Sequence, residues 1–188
     1  MAETGRLLRT IRLDPSDGFV FARAAEPGQW AVSGAFLFDG RDPDSLSTKA
    51  RVALRSGLLG VADFGWSTLA VVVEASAAER AEAVETLARQ LIAQCGAPDL
   101  DAALAAAQEE IDFSAGLADH PVGSLIAVRR SLEDGALREQ FRMLARRPAG
   151  ADRLHAGARA FAIVESDEAP DETVDLAGLI IGGAKDAR

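Results

Sequence analysis

The sequence is short of nearly everything that announces a chemistry. Its 188 residues hold one cysteine, two histidines and no tyrosine. With Cys95 alone no intramolecular disulfide can form, and the expected setting is a reducing cytoplasm. A zinc site of histidine and cysteine would need nearly all of Cys95, His120 and His155, which lie on separate stretches without ligand spacing. No metal and no cofactor is expected. A phosphate-binding loop needs glycines in a turn from strand to helix. Gly57, Gly60 and Gly65 lack that context and the accompanying lysine. The Gly-x-Ser-x-Gly elbow, Cys-x-x-Cys and His-Glu-x-x-His are missing as well. The first residues, Met1 to Arg6, include an acid and no apolar run, so no secretory leader is expected. The longest apolar stretches, such as Leu69 to Val73, are too short to span a bilayer. Positive charge is in deficit too. Lysine and arginine total 20 against 29 acids, a net charge of −9. Such a chain repels phosphate backbones, and nucleic acid is not an expected partner.

What is present is the raw material of one domain. Hydrophobic residues make up 48% of the chain, near the ordinary globular share. The expected layout is a single α+β domain over residues 1–165, followed by an acidic linker and apolar tail over residues 166–188. The first forty residues read as an antiparallel β-meander. Its strands run from Arg6 to Leu13, Phe19 to Arg23 and Gln29 to Phe38, parted by Asp14-Pro15-Ser16-Asp17-Gly18 and Glu26-Pro27-Gly28. The third strand alternates large Trp30, Val32, Phe36 and Phe38 with small Ala31, Ser33 and Ala35. A helix follows from about Ser45 to Ser56 and stops at Gly57. Leu58 to Gly65 stays open between a loop and a kinked helix end.

A β-α-α-β-β unit comes next. Thr68 to Glu74 is a short β-branched strand. Ser76-Ala77-Ala78-Glu79 spells a capping box at the start of a helix reaching Gln94, with Val84, Leu87, Leu91, Ile92 and Cys95 on one stripe. Asp99 caps a second helix, whose stripe is Leu100, Leu104, Ala107, Ile111 and Ala118, closed by Pro121. Gly123 to Ser131 and Leu137 to Leu144 then form a hairpin. If Asp134-Gly135 is the centre of a type I′ turn, Leu132 faces Leu137, Arg130 faces Glu139, Val128 faces Phe141 and Ile126 faces Met143. That register gathers the apolar pairs on one face and leaves Arg138, Gln140 and Arg142 on the other. Ala158 to Val164 is the expected last strand. The sheet is mixed or antiparallel and covered by helices.

Few residues qualify as a site. Asp119-His120-Pro121-Val122-Gly123 joins a helix end to a strand start, and a carboxylate beside an imidazole can orient it for general base work. A histidine near a helix C-terminus is also favoured by the dipole alone, and adjacent residues seldom face each other. Cys95 closes an apolar stripe and is expected to be buried and inert. Glu109, Glu110 and Asp112 read as the wet side of an amphipathic helix. Arg129, Arg138 and Arg142 share one hairpin face, near Arg146 and Arg147, and could receive an anion, an acidic partner or the chain's own acidic tail. That tail ends in Leu176-Ala177-Gly178-Leu179-Ile180-Ile181, too apolar to be left in water, and is expected to dock on its own domain or on another copy.

Thr10-Ile11-Arg12-Leu13-Asp14-Pro15-Ser16-Asp17, then Glu26-Pro27-Gly28-Gln29-Trp30-Ala31-Val32-Ser33-Gly34, resembles a small bacterial family known only as a domain of unknown function. Asp119-His120-Pro121-Val122-Gly123 and Glu133-Asp134-Gly135 followed by Arg138 resemble it too. The resemblance covers about residues 6–147 and carries no catalytic residue with it. It implies an accessory or maturation role near redox enzymes or lipoate- and biotin-dependent ones. The expectation is a non-catalytic cytoplasmic accessory or protein-interaction domain that self-associates. The competing reading is a small-molecule-binding domain or modest enzyme built on the Asp119-His120 loop.

Overall fold

A computed structural model describes residues 4–133, 136–146 and 161–164. β1 (Gly5–Ile11) lies near the centre of an eight-stranded sheet of order β4-β3-β2-β1-β5-β6-β7-β8. β2 is Trp30–Val32, β3 Leu58–Gly60, β4 Trp66–Ser67 and β5 Leu69–Ala75. β6 is Leu125–Glu133, β7 Ala136–Arg146 and β8 Phe161–Val164. Every ladder between these strands is antiparallel. The fold is α+β, and the β-α-α-β-β unit stands as read. The connection between β5 and β6 is a pair of helices, α3 (Ala77–Cys95) and α4 (Leu100–Leu117). One crossing helix would return the chain parallel. Two antiparallel helices bring it back to the end it left, so β6 runs against β5.

Local chemistry sets the helix starts. Ser76 and Glu79 complete the capping box, with the Ser76 amide donating to Glu79 Oε2 at 2.9 Å and the Glu79 amide to Ser76 Oγ at 3.3 Å. The Asp99 carboxylate accepts from the Ala102 amide at 2.8 Å. Ser47 caps α2 (Thr48–Ser56) by accepting from the Ala50 amide, so this helix begins later than the pattern implies. Such caps contribute about 1 kcal/mol each.

The neighbours Leu7 and Leu8 point to opposite faces of β1, and both are buried. Leu7 joins Val32 and Leu59 with the stripes Val84-Leu87-Leu91 and Ala107-Ile111 of the helix pair. Leu8 joins Val72, Ile126 and Val128 with Ala118 just past α4. The sheet is therefore covered on both sides at its centre. Among the described residues no helix is long and apolar enough to cross a membrane.

The predicted hairpin register is observed. Ile126 faces Met143, Val128 faces Phe141, Arg130 faces Glu139 and Leu132 faces Leu137, out to the pair Glu133–Ala136. The turn residues Asp134 and Gly135 lie outside the described residues, as do the loop from Arg147, the start of the expected last strand and the tail over 166–188.

Three expectations are corrected. Phe19 to Arg23 is not a strand. Asp17–Val20 forms one helical turn, α1. Asp17 is pulled inward, where its carboxylate accepts from Thr68 Oγ1 at 2.5 Å and from the Thr68 amide at 3.3 Å. That twist separates Phe19, 74% exposed, from Phe21, 1% exposed, which a strand would have placed on one face. The strand from Gln29 stops at Val32 because Gly34 takes φ +76° and turns Ala35–Phe38 into a 3₁₀ turn. A Cβ there would sit 2.6 Å from Leu59 Cβ. Cys95 is exposed, not buried. It is in phase with Leu91, but it is the last residue of α3, one turn past Leu91, the last buried residue of that helix; Ile92 and Leu100 are exposed as well.

Candidate functional site

Two places hold the residues with chemistry, one inside the domain and one on its surface. The inner one is built on Arg130 of β6, 4% exposed. A helix leaves its last carbonyls without intrahelical partners. Arg130 Nη1 donates to three carbonyls at the end of α2: Ala53 O at 3.4 Å, which also accepts from the Gly57 amide, Leu54 O at 3.2 Å and Gly57 O at 2.8 Å. The cation also complements the negative end of the helix dipole. Nη2 donates to Ser33 O at 2.5 Å and Ser33 Oγ at 3.1 Å. Nε donates to Oε1 of Glu139, its cross-strand partner, at 2.7 Å. Ser33 Oγ donates to the same Glu139 oxygen at 2.5 Å. Every nitrogen of the guanidinium is engaged, so no donor remains for an incoming anion. This arrangement ties β2, α2 and the hairpin together.

Beside it stands Glu110 of α4. Its Oε2 is buried and without a hydrogen-bond partner among the described residues. Burial first, then the charge of Glu139, with Arg130 working against them and Glu109 adding a small push upward, together raise its pKa to about 7. Glu110 is therefore an acid poised near neutrality, not a solvated surface group. Burial also lowers the Arg130 pKa, while Glu139 and Glu110 oppose that shift.

The surface place is a cleft of about 210 Å³ between the end of α4 and the hairpin. Leu117, Ile126, Phe141 and Met143 supply apolar walls, and His120 and Arg142 are the polar groups. The cleft thus contains one half of the predicted Asp119-His120 pair. Asp119 turns away: its side chain is 91% exposed and lies 3.7 Å from Arg6 Nη1. Arg6 also donates to the His120 carbonyl at 3.2 Å. No carboxylate holds the imidazole among the described residues. The arginine face is real as geometry. Arg142 faces Ala127, Arg129 faces Gln140 and Arg138 faces Ser131, which puts all three arginines on one side, all exposed. Arg138 lies 3.7 Å from Glu133. Arg129 and Arg142 have no ion-pair partner among the described residues. Arg146 and Arg147 side chains lie outside them. No group of three or more histidine, cysteine, aspartate or glutamate side chains that could hold a metal occurs among the described residues.

Residues 4–160 match the profile of a family described as a family of unknown function, DUF6505. The chain belongs to that family. The DUF6505 match takes in Ser33, Glu110, His120, Arg130 and Glu139 together, and stops just before β8. No curated protein and no solved structure matches the chain.

Sequence reasoning found the Arg130–Glu139 pair but not its depth, and it missed Glu110. The signal for the first was a charged pair on an otherwise apolar hairpin face. For the second, the signal was a glutamate one position before Ile111, on the shoulder of the buried stripe of α4.

Proposed function

We propose that this protein is a non-catalytic accessory or protein-interaction domain of the cytoplasm, and that the β6–β7 hairpin is its partner-facing surface. The observation that carries the reading is the edge of β7. Among the described residues, its pairing with β8 runs from Met143 to Arg146. Among the described residues, Ala136 to Arg142 has no strand on its outer side. An open edge with exposed apolar neighbours is a template for strand addition. Leu132 and Phe113 are both large and half exposed here, and the Phe113 ring packs edge-on against Phe141 with centroids 5.8 Å apart. The three arginines add a charge preference for an acidic partner. Self-association through the same edge fits this reading. A client among redox, lipoate- or biotin-dependent enzymes rests on the family resemblance alone. With a net charge of −9, nucleic acid is not the partner put forward.

A photo-crosslinking residue at Gln140 tests this, compared with one at Gln94 on α3, in the native host. A defined protein, or a second copy, captured at position 140 and not at 94 supports the reading. A small molecule retained in the His120 cleft by native mass spectrometry, with no protein captured at 140, would overturn it in favour of a ligand-binding domain.

A further inference from the structure

The outer half of the β6–β7 hairpin stands clear of the other strands. β5 pairs with β6 at Val71–Leu125 and Ala70–Ile126, and among the described residues β8 pairs with β7 from Met143 to Arg146, so both ladders lie at the hairpin base. Residues 128–133 and 136–141 form an arm whose strands pair only with each other among the described residues. A lone two-stranded hairpin is marginal in water, so the arm depends on what fastens it to the domain. Val128 is buried in the core at the root of the arm, and the Phe141 ring meets Phe113 of α4. Past Val128 the one buried residue of the described arm is Arg130. Its Nη1 and Nη2 reach off the arm, to the end of α2 and to Ser33, while Nε holds Glu139 on the arm itself. Ser33 Oγ donates to Glu139 as well.

Charge is unbalanced at this joint. Arg130 and Glu139 come from the arm and Glu110 from α4, with Glu109 acting from the same helix. α2 contributes carbonyls, and the chain just past β2 contributes Ser33. One cation thus serves two carboxylates, and each of its nitrogens is already engaged. Glu110 Oε2 is buried there with no hydrogen-bond partner among the described residues. As a neutral acid Glu110 tolerates the place. Ionised, it is a part-buried carboxylate without a donor, and Glu139 repels it more than Arg130 attracts it. Parting the arm from α4 relieves both effects, since water reaches Glu110 and the two carboxylates separate. We propose that Glu110 is the proton-controlled catch of this arm: protonated, it leaves the arm fastened to α2 and Ser33, and ionised, it loosens the arm and frees its surface. With a pKa of about 7, the catch works across the neutral range. The consequence, that losing this proton readies the hairpin for a partner, rests on the interaction reading above, while the catch itself does not.

Native-state hydrogen exchange of the full chain reads the catch. Amides in residues 128–133 and 136–141 are compared with those of β1 at pH 6 and pH 8, at several urea concentrations below unfolding, with the intrinsic pH dependence divided out. The arm should exchange through an opening that urea barely promotes, because little surface is uncovered. That opening should become about five- to ten-fold more frequent from pH 6 to pH 8. In Glu110→Gln, which keeps the shape and has no proton to lose, the opening should not change with pH. An arm that opens only together with β1, in one urea-dependent step, would overturn the proposal. A local opening with the same pH dependence in both proteins, or with none in either, would overturn it too. Capture at position 140 bears on the other reading alone: no capture removes the partner and leaves the catch, and an arm opening indifferent to pH removes the catch and leaves the partner.

Discussion

Replacing Glu110 by glutamine should stabilise the protein at pH 8 and do little at pH 5. Glu110 is an acid whose folded pKa, about 7, stands above its ordinary value of 4.5. The native state therefore holds a proton that the unfolded chain gives up. Below pH 4.5 both states are protonated and the site is neutral in its effect. Between 4.5 and about 7 the unfolded state ionises first, and folding stability falls as the pH rises. Above 7 the full penalty of a buried charge beside Glu139 is present. The interval from 4.5 to about 7, at 1.36 kcal/mol for each pH unit, sets a ceiling of about 3 kcal/mol. Glu110 keeps part of its surface in water, which screens the penalty to about 1–2 kcal/mol. For a chain of this length that is a rise of about 2–8 °C in melting temperature for Glu110→Gln at pH 8. Thermal melts by circular dichroism at steps from pH 5 to 8.5, on both proteins, measure the gap. It should open with pH and level off above 7.5. A gap that is constant with pH, or a wild type that gains on the variant as pH rises, would refute the reasoning.

The Arg130 cluster makes a companion prediction. Arg130→Met should cost about 3–5 kcal/mol in urea denaturation, because it strands Glu139 and the carbonyls of α2. Adding Glu139→Met should recover a substantial part, and a double variant no better than the single would argue against the pairing. Gly57→Ala should cost about 1–3 kcal/mol and alter the near-ultraviolet signal of Trp66, since a Cβ there would lie 2.7 Å from Trp66 Cε3 and 2.9 Å from the Ala53 carbonyl. Its φ of −93° accepts alanine, so the cost is steric, and an unperturbed tryptophan signal would contradict it. Native protein should react with one equivalent of an aromatic disulfide reagent at Cys95, which is exposed, but more slowly than a free thiol because partial desolvation by its neighbours raises the thiol pKa. Cys95→Ala should change stability by less than about 0.5 kcal/mol.

The legible parts of this fold were those written in local chemistry. The capping box at Ser76 and the register of the hairpin both follow from a few adjacent residues, and both stand. Phe19 to Arg23 failed because its fate is decided by a distant residue: Thr68 draws Asp17 inward and winds the backbone. The strand from Gln29 carried a warning in Gly34, a glycine inside an apparent alternation, which often marks a close approach of chains. Cys95 misled because helical phase says which way a residue points, not whether the core extends that far. At the candidate site, Arg130 and Glu139 were paired correctly from the register. Their burial was invisible, since it depends on α2 ending against β6 and on Ser33 reaching both. Glu110 was hidden for the same reason.

The Arg130 knot also bears on the order in which the chain is made. Its acceptors lie at Ser33 and at Ala53 to Gly57, 97 and 73 to 77 residues earlier in sequence than the guanidinium. During synthesis the segment bearing β2, α2 and β3 must leave the ribosome with the end of α2 uncapped. It waits through β5 and both long helices before Arg130 and Glu139 appear. Contacts of such separation close slowly, because a large loop is ordered before they form. The N-terminal half is thus held provisionally until the hairpin arrives, and an interruption of synthesis before Glu139 would leave an N-terminal half whose helix end lacks its arginine cap.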